Sequence, residues 1–141
     1  MSEASSSPVV YEQPLSERIR SFLRLEYLFD RARHELARND PWASRSTLEA
    51  LIDIMALMGR SDIKKEIIKE LERHSGTMDA LARNPRVDKE TLEEVLVQVR
   101  HFLSALKVRD SAPGYELKFH DFLSSVRQRS TIPAGTCDFD L

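Results

Sequence analysis

A chain of 141 residues can bury one core and is short for two. Its composition, 41% hydrophobic and 31% charged with 4 Gly and 6 Pro, excludes fibrous and disordered classes and suits a helical globular protein. With 21 basic and 23 acidic residues the formal charge is −2, so no global field draws it to nucleic acid or anionic lipid, and any anion-binding surface has to be local.

The first residues, MSEASSSPVV, carry a serine run where a secretory signal would have a basic segment and an apolar core. No stretch approaches the roughly 18 apolar residues of a membrane span. The single cysteine, Cys137, has no partner for an internal disulfide, which points to a reducing compartment. A soluble cytoplasmic protein without a membrane partner is expected.

Residues 1–13 read as a flexible tail, 14–130 as a helical domain and 131–141 as the start of a truncated C-terminal region. From Leu15 to Leu36, the apolar residues Leu15, Ile19, Phe22, Leu23, Phe29, Ala32 and Leu36 recur at helical spacing, and Asn39-Asp40-Pro41 supplies a stop. Ser46-Thr47-Leu48-Glu49 has the capping-box pattern and opens a second helix, with Gly59 as its left-handed terminator. Ser61 is read as the cap of a third helix with Asp62 in its first turn and an apolar face of Ile63, Ile67, Leu71, Met78 and Leu81. Because that phase is kept across Gly76, one continuous helix is predicted.

Asn84-Pro85 ends the third helix. Asp88 caps a fourth, whose buried face is Leu92, Val95, Leu96, Val99, Phe102, Leu103 and Leu106. After the Ala112-Pro113-Gly114 turn, Leu117, Phe119, Phe122, Leu123 and Val126 support a shorter fifth helix ending near Arg129. The closing IPAGTCDFDL has turn chemistry followed by alternation, as if opening a further element. The expected fold class is all-α, a bundle of about five helices.

Chemistry is sparse. His34, His74, His101 and His120 have no partner at ligand spacing, so no metal is expected. The glycines make neither a phosphate-cradling loop nor a dinucleotide fingerprint, and no cofactor is expected. Cys137 has no base beside it, and Glu93-Glu94 fits a solvated helix face. The chain does not read as an enzyme.

The first helix is more informative. At about 100° per residue, Arg20, Arg24, Arg31 and Arg38 fall within roughly 40° of one another, opposite the main apolar arc. Planar, multidentate guanidiniums suit carboxylates, so the stripe is either a docking surface for an acidic peptide or a solvated face partly neutralised by Glu17 and Glu35. Glu26 and Arg33 fall inside the apolar arc, which fits a dimer contact or a structural ion pair. Arg127-Gln128-Arg129 closes the last helix, where basic residues favour the helix dipole.

Two stretches resemble the ZapD family of bacterial cell-division proteins. Tyr11 to Phe29, YEQPLSERIRSFLRLEYLF, resembles the family's opening pattern without a gap, with Glu12, Pro14, Leu15, Glu17, Arg20, Leu23, Arg24 and Glu26 at matching positions. Val126 to Leu141, VRQRSTIPAGTCDFDL, resembles its RQR-x-x-IPGG-x-C-x-FDLP segment, with Ala134 in place of a glycine. If that position needs a positive φ, the alanine restricts it. The helical interval between the two stretches matches more loosely.

The resemblance implies a non-enzymatic homodimer with a helical and a β-rich part, acting in the cytoplasm at the midcell division ring. It would bind the C-terminal tail of FtsZ and cross-link protofilaments. Arg20 and Arg24 match the motif directly and are the first candidates for tail binding, followed by Arg127 and Arg129. Family members continue past Asp140-Leu141 into the β-rich part, which is expected to add basic surface and dimer contacts. The alternative is a helix-turn-helix DNA-binding module built from helix two, the MGRS turn and helix three. Asp62, Glu66 and Glu70 on its would-be recognition helix, with the negative net charge, argue against nucleic acid as a partner.

Overall fold

A computed structural model describes residues 10–11, 13–60 and 62–137. Five α-helices follow in order: α1 (Glu17–Leu36), α2 (Pro41–Met58), α3 (Ile63–Leu81), α4 (Lys89–Val108) and α5 (Asp121–Arg129), with a short 3-10 helix (Tyr115–Phe119) before the last. No strand occurs among the described residues, so the expected all-α class holds.

Local chemistry explains the boundaries. Ser16 caps α1, its hydroxyl accepting from Ile19 N at 3.2 Å, so Leu15 stays outside the helix and 94% exposed. The second helix starts five residues before the predicted capping box. Asp40 accepts from Ala43 N at 2.8 Å, and Pro41 occupies the first helical turn, where its missing N–H costs nothing. Asn39-Asp40-Pro41 therefore stops one helix and starts the next. Ser46 and Glu49 lie inside α2 and accept hydrogen bonds from Arg31 of α1.

Gly59 ends α2 with φ −69°, an ordinary right-handed conformation, so the expectation of a left-handed terminator fails there. The left-handed glycine is Gly114, at φ 76°, which turns the chain into the 3-10 helix. Helix α3 runs unbroken through Gly76. Asp62 stands at its N-cap without a side-chain cap bond, and Ser61 lies outside the described residues. Asp88 caps α4 as expected, accepting from Glu90 N at 3.0 Å and Thr91 N at 3.4 Å. The predicted fifth helix divides at His120, whose extended backbone separates the 3-10 turn holding Leu117 and Phe119 from α5.

The core joins α1, α2 and the start of α3 through Leu25, Ala32, Ala50, Ile54, Leu57, Met58 and Ile63, with Leu28 and Ile67 packed against it. Ser21 and Ala32 on α1, with Ala43, Thr47 and Ala50 on α2, are small and buried, so the two helices approach closely. Helix α5 packs on α2, and α4 packs on α3 alone among the elements. The buried face predicted for α4 is therefore only partly covered. Leu96 and Val99 are buried, whereas Val95 and Phe102 face solvent.

Candidate functional site

The arginine stripe does not lie opposite the buried face of α1. Ser21, Leu25, Leu28 and Ala32 turn toward the core, and at about 100° per residue the stripe sits only roughly 90° from their centre, along the seam with α2. Two stripe members are engaged internally. Arg31 donates to Ser46 Oγ at 3.1 and 3.0 Å and to Glu49 at 2.9 Å, and Arg38 pairs with Asp40 at 3.3 Å and Glu35 at 3.8 Å. These two secure the α1–α2 pair.

Arg20 and Arg24 instead line a groove of about 620 Å³ between the helices. Leu23, Tyr27, Leu28, Ala56 and Leu57 supply its apolar surface, and Asp53 and Arg60 of the α2 side complete it. Asp53 and Ala56, three apart, share one face of α2, and Arg60 follows just beyond the helix end. Arg20 donates to Glu17 at 2.6 Å across one exposed turn. Arg24 and Arg60 have no ion partner among the described residues.

A second recess of about 400 Å³ adjoins the first, sharing Ala56 and Arg60. Pro113, Tyr115, Lys118 and Arg127 form its far wall. Lys118 Nζ stands 3.4 Å from the Tyr115 ring centroid, a cation–π contact that fixes the ammonium at the rim. The two recesses make one path from Arg20 and Arg24 past Arg60 to Arg127, with an apolar floor and a cationic border.

Arg129 does not join this path. Two residues apart on a helix is a rotation of about 200°, so it turns away from Arg127 into another cleft, of about 660 Å³, with Leu48, Ile52 and Ile132, which meets the first groove only at Asp53. Arg60, Lys118, Tyr27 and Asp53 were not singled out from sequence. Arg60 lies in the turn that the MGRS segment does form after Met58, so no helical periodicity could have marked it. Glu26 and Arg33, expected on a buried face, are both exposed, and Arg33 pairs with Asp30. That face is occupied by Ile19, Phe22 and Phe29, of which Phe29 is 48% exposed.

Three carboxyls are held below their ordinary values. Asp40 is lowered chiefly by the Ala43 N–H, Asp88 by the Thr91 hydroxyl and amide, and Glu70 by the Arg73 guanidinium with help from Arg18. All three serve helix ends or helix pairing. No cluster of metal-ligating side chains occurs among the described residues, and no helix there is long and apolar enough to cross a membrane.

The ZapD family model, described as a cell division protein, matches residues 23–141. The chain is 39% identical over 133 residues to the cell division protein ZapD of Cupriavidus pinatubonensis, covering 94% of this chain and 53% of the relative. It is 40% identical over 133 residues to that of Methylococcus capsulatus, covering 94% and 52% respectively. It thus spans about half the length of the curated relatives it matches. With the family model covering most of its residues, the chain belongs to the ZapD family of cell division proteins.

Proposed function

We propose that this chain is the helical, tail-binding portion of a division adaptor, and that the α1–α2 groove takes the C-terminal tail of FtsZ. The observation that carries the reading is a convergence. Arg20 and Arg24, the arginines of the family-like motif, share one apolar-floored groove with Arg60, and two of the three guanidiniums have no ion partner among the described residues. A short peptide of mixed charge suits it: apolar side chains settle on Leu23, Tyr27 and Ala56, carboxylates meet Arg20, Arg24 and Arg60, and a basic side chain meets Asp53. Arg127 extends the basic border, and Arg129 acts from the neighbouring cleft.

In a homodimer two such grooves would hold tails from two filaments, so bivalency converts weak contacts into bundling at the midcell ring of the cytoplasm. This is the work of an adaptor and needs no catalysis. Against DNA binding, Glu66 and Glu70 of α3 are engaged by Arg18 of α1 at 3.5 and 3.1 Å, placing acids where a recognition helix would meet phosphates. The test is cosedimentation with polymerised FtsZ, with and without its C-terminal tail. Pelleting should depend on the tail and be lost in the Arg20→Glu, Arg24→Glu double variant at unchanged helical content. Pelleting indifferent to tail removal would sink the reading.

A further inference from the structure

Most recesses of the described surface set acids beside their cations. The groove of Arg20 and Arg24 includes Asp53, the cleft of Arg129 includes Glu49 and Asp53, and a cleft between α1 and α3 has Glu70 beside Arg73. The recess of about 400 Å³ beyond Arg60 is different. Arg60, Lys118 and Arg127 line it, and no acid does so among the described residues. None of the three has an ion partner among those residues either.

Three elements bring these charges together: the turn after α2 supplies Arg60, the 3-10 helix Lys118 and α5 Arg127. The 3-10 helix also carries an acid, Glu116, but Arg109 draws it off at 2.6 Å. Lys118 is half-buried, its ammonium 3.4 Å from the Tyr115 ring centroid and 4.9 Å from that of Phe119, which holds it at the rim. The wall is tied down as well. Lys64 of α3 donates to Arg109 O and, at 3.2 Å, to Ser111 O, fixing the segment that leads into Pro113.

Charge and size select the ligand. Three like charges around one recess repel, and a ligand with several negative charges close together relieves this most. A carboxylate brings one. A phosphate monoester brings about 1.5 to 2 and three acceptor oxygens, which suit the forked donors of arginine and the point charge of lysine. The volume exceeds what one phosphate fills and falls in the range of small-molecule sites, with Met55, Pro113 and Tyr115 as an apolar wall for an organic group.

We propose that this recess is an oligophosphate site, in which Arg60, Lys118 and Arg127 hold the linked phosphates of an inorganic chain or of a nucleoside triphosphate. The site goes beyond the tail-binding reading and needs no tail to fill. One consequence does rest on that reading: Arg60 also borders the first groove, so bound oligophosphate and a tail compete for it.

Isothermal titration of the 141-residue chain, without FtsZ and at constant ionic strength, tests the site with inorganic tripolyphosphate and ATP as probes. One equivalent should bind. Lys118→Ala and Arg127→Ala should each weaken binding about tenfold or more at unchanged helical content, the loss of one charge-assisted contact. Arg100→Ala removes the same charge from an exposed pair with Asp79 on the α3–α4 hairpin and should leave affinity within about twofold. Affinity for tripolyphosphate equal to or above that for ATP identifies the inorganic chain as the ligand, and tighter binding of ATP identifies a nucleotide. Tripolyphosphate should also displace a labelled FtsZ tail peptide. Binding without displacement would refute the tail's use of Arg60 and leave the site standing. Failure of both probes to bind at millimolar concentration overturns the proposal, and so does a loss in Arg100→Ala equal to that in Arg127→Ala.

Discussion

Truncating single arginines of α1 should divide them into two groups by what each already touches. Arg24 has no ion partner among the described residues, so a tail carboxylate reaching it displaces only water. A charge-assisted hydrogen bond of that kind is worth about 1.5 kcal/mol at an accessible site, so Arg24→Ala should weaken tail binding roughly tenfold. Arg60→Ala, across the groove, should do about the same. Arg20 already donates to Glu17 at 2.6 Å, and a ligand there has to share or replace an exposed pair worth about 0–1 kcal/mol, so Arg20→Ala should cost only about two- to fivefold. Arg31 belongs to the same stripe by sequence but is spent on Ser46 and Glu49 of α2. Arg31→Ala should lower the thermal midpoint and leave the affinity within about twofold. The assay is fluorescence anisotropy of a labelled FtsZ tail peptide, repeated at rising salt, with a melt of each variant. If Arg31→Ala weakened binding as much as Arg24→Ala, or if neither Arg24→Ala nor Arg60→Ala weakened it, the groove would be the wrong site.

Three further outcomes follow from the fold. Leu25 is central to the α1–α2–α3 core, and Leu25→Ala should cost about 2–5 kcal/mol in chemical denaturation, through lost burial and the cavity left behind. Asp40 and Asp88 titrate below their unfolded value of 3.8 because the folded chain hydrogen-bonds their charged forms. Their stabilisation is therefore present above that value and lost as pH falls through the lower, folded one, and the same holds for Glu70 below its own unfolded value of 4.5. The Asp40→Asn, Asp88→Asn variant keeps caps that do not titrate, so its melting temperature should fall less than the parent's between about pH 5 and pH 2. Ala134 sits at φ 56°, a conformation costing a side chain about 1 kcal/mol or more, so Ala134→Gly should stabilise the chain by about 0.5–1 kcal/mol after the greater flexibility of unfolded glycine is subtracted.

The sequence announced some of this plainly and hid the rest for identifiable reasons. Helix α4 was readable because one residue, Asp88, caps it and its leucine-rich stripe keeps phase for its whole length. The start of α2 was hidden because Asn39-Asp40-Pro41 carries both a stop and a start, and the more familiar serine-glutamate box a few residues on is used instead to hold Arg31. Ala134 is a case of sequence reasoning reaching a backbone angle: a residue standing where the resemblance expects glycine does adopt positive φ. Neighbouring Gly135 has its own reason to be glycine, since a Cβ there would lie 2.6 Å from Arg129 O.

The misjudged face of α1 explains the site itself. Hydrophobicity weights Ile19, Phe22, Phe29 and Leu36, yet Leu36 is 74% exposed, and the helix buries the side that carries Ser21 and Ala32. Small residues win there because they let α1 approach α2 closely enough for Leu25 and Leu28 to interlock with Ala50, Ile54 and Leu57. That choice rotates the arginines from the far side of the helix to its flank. At the tight end of the seam, Arg31 meets α2 and is neutralised. Toward the N-terminal end of α1, by Pro14, Arg20 and Arg24 meet the end of α2, where Asp53 and Ala56 are short and leave the groove unfilled. One stripe thus yields an arginine spent on α2 and, seven residues away, one with no ion partner among the described residues, and only the packing of α2 tells them apart.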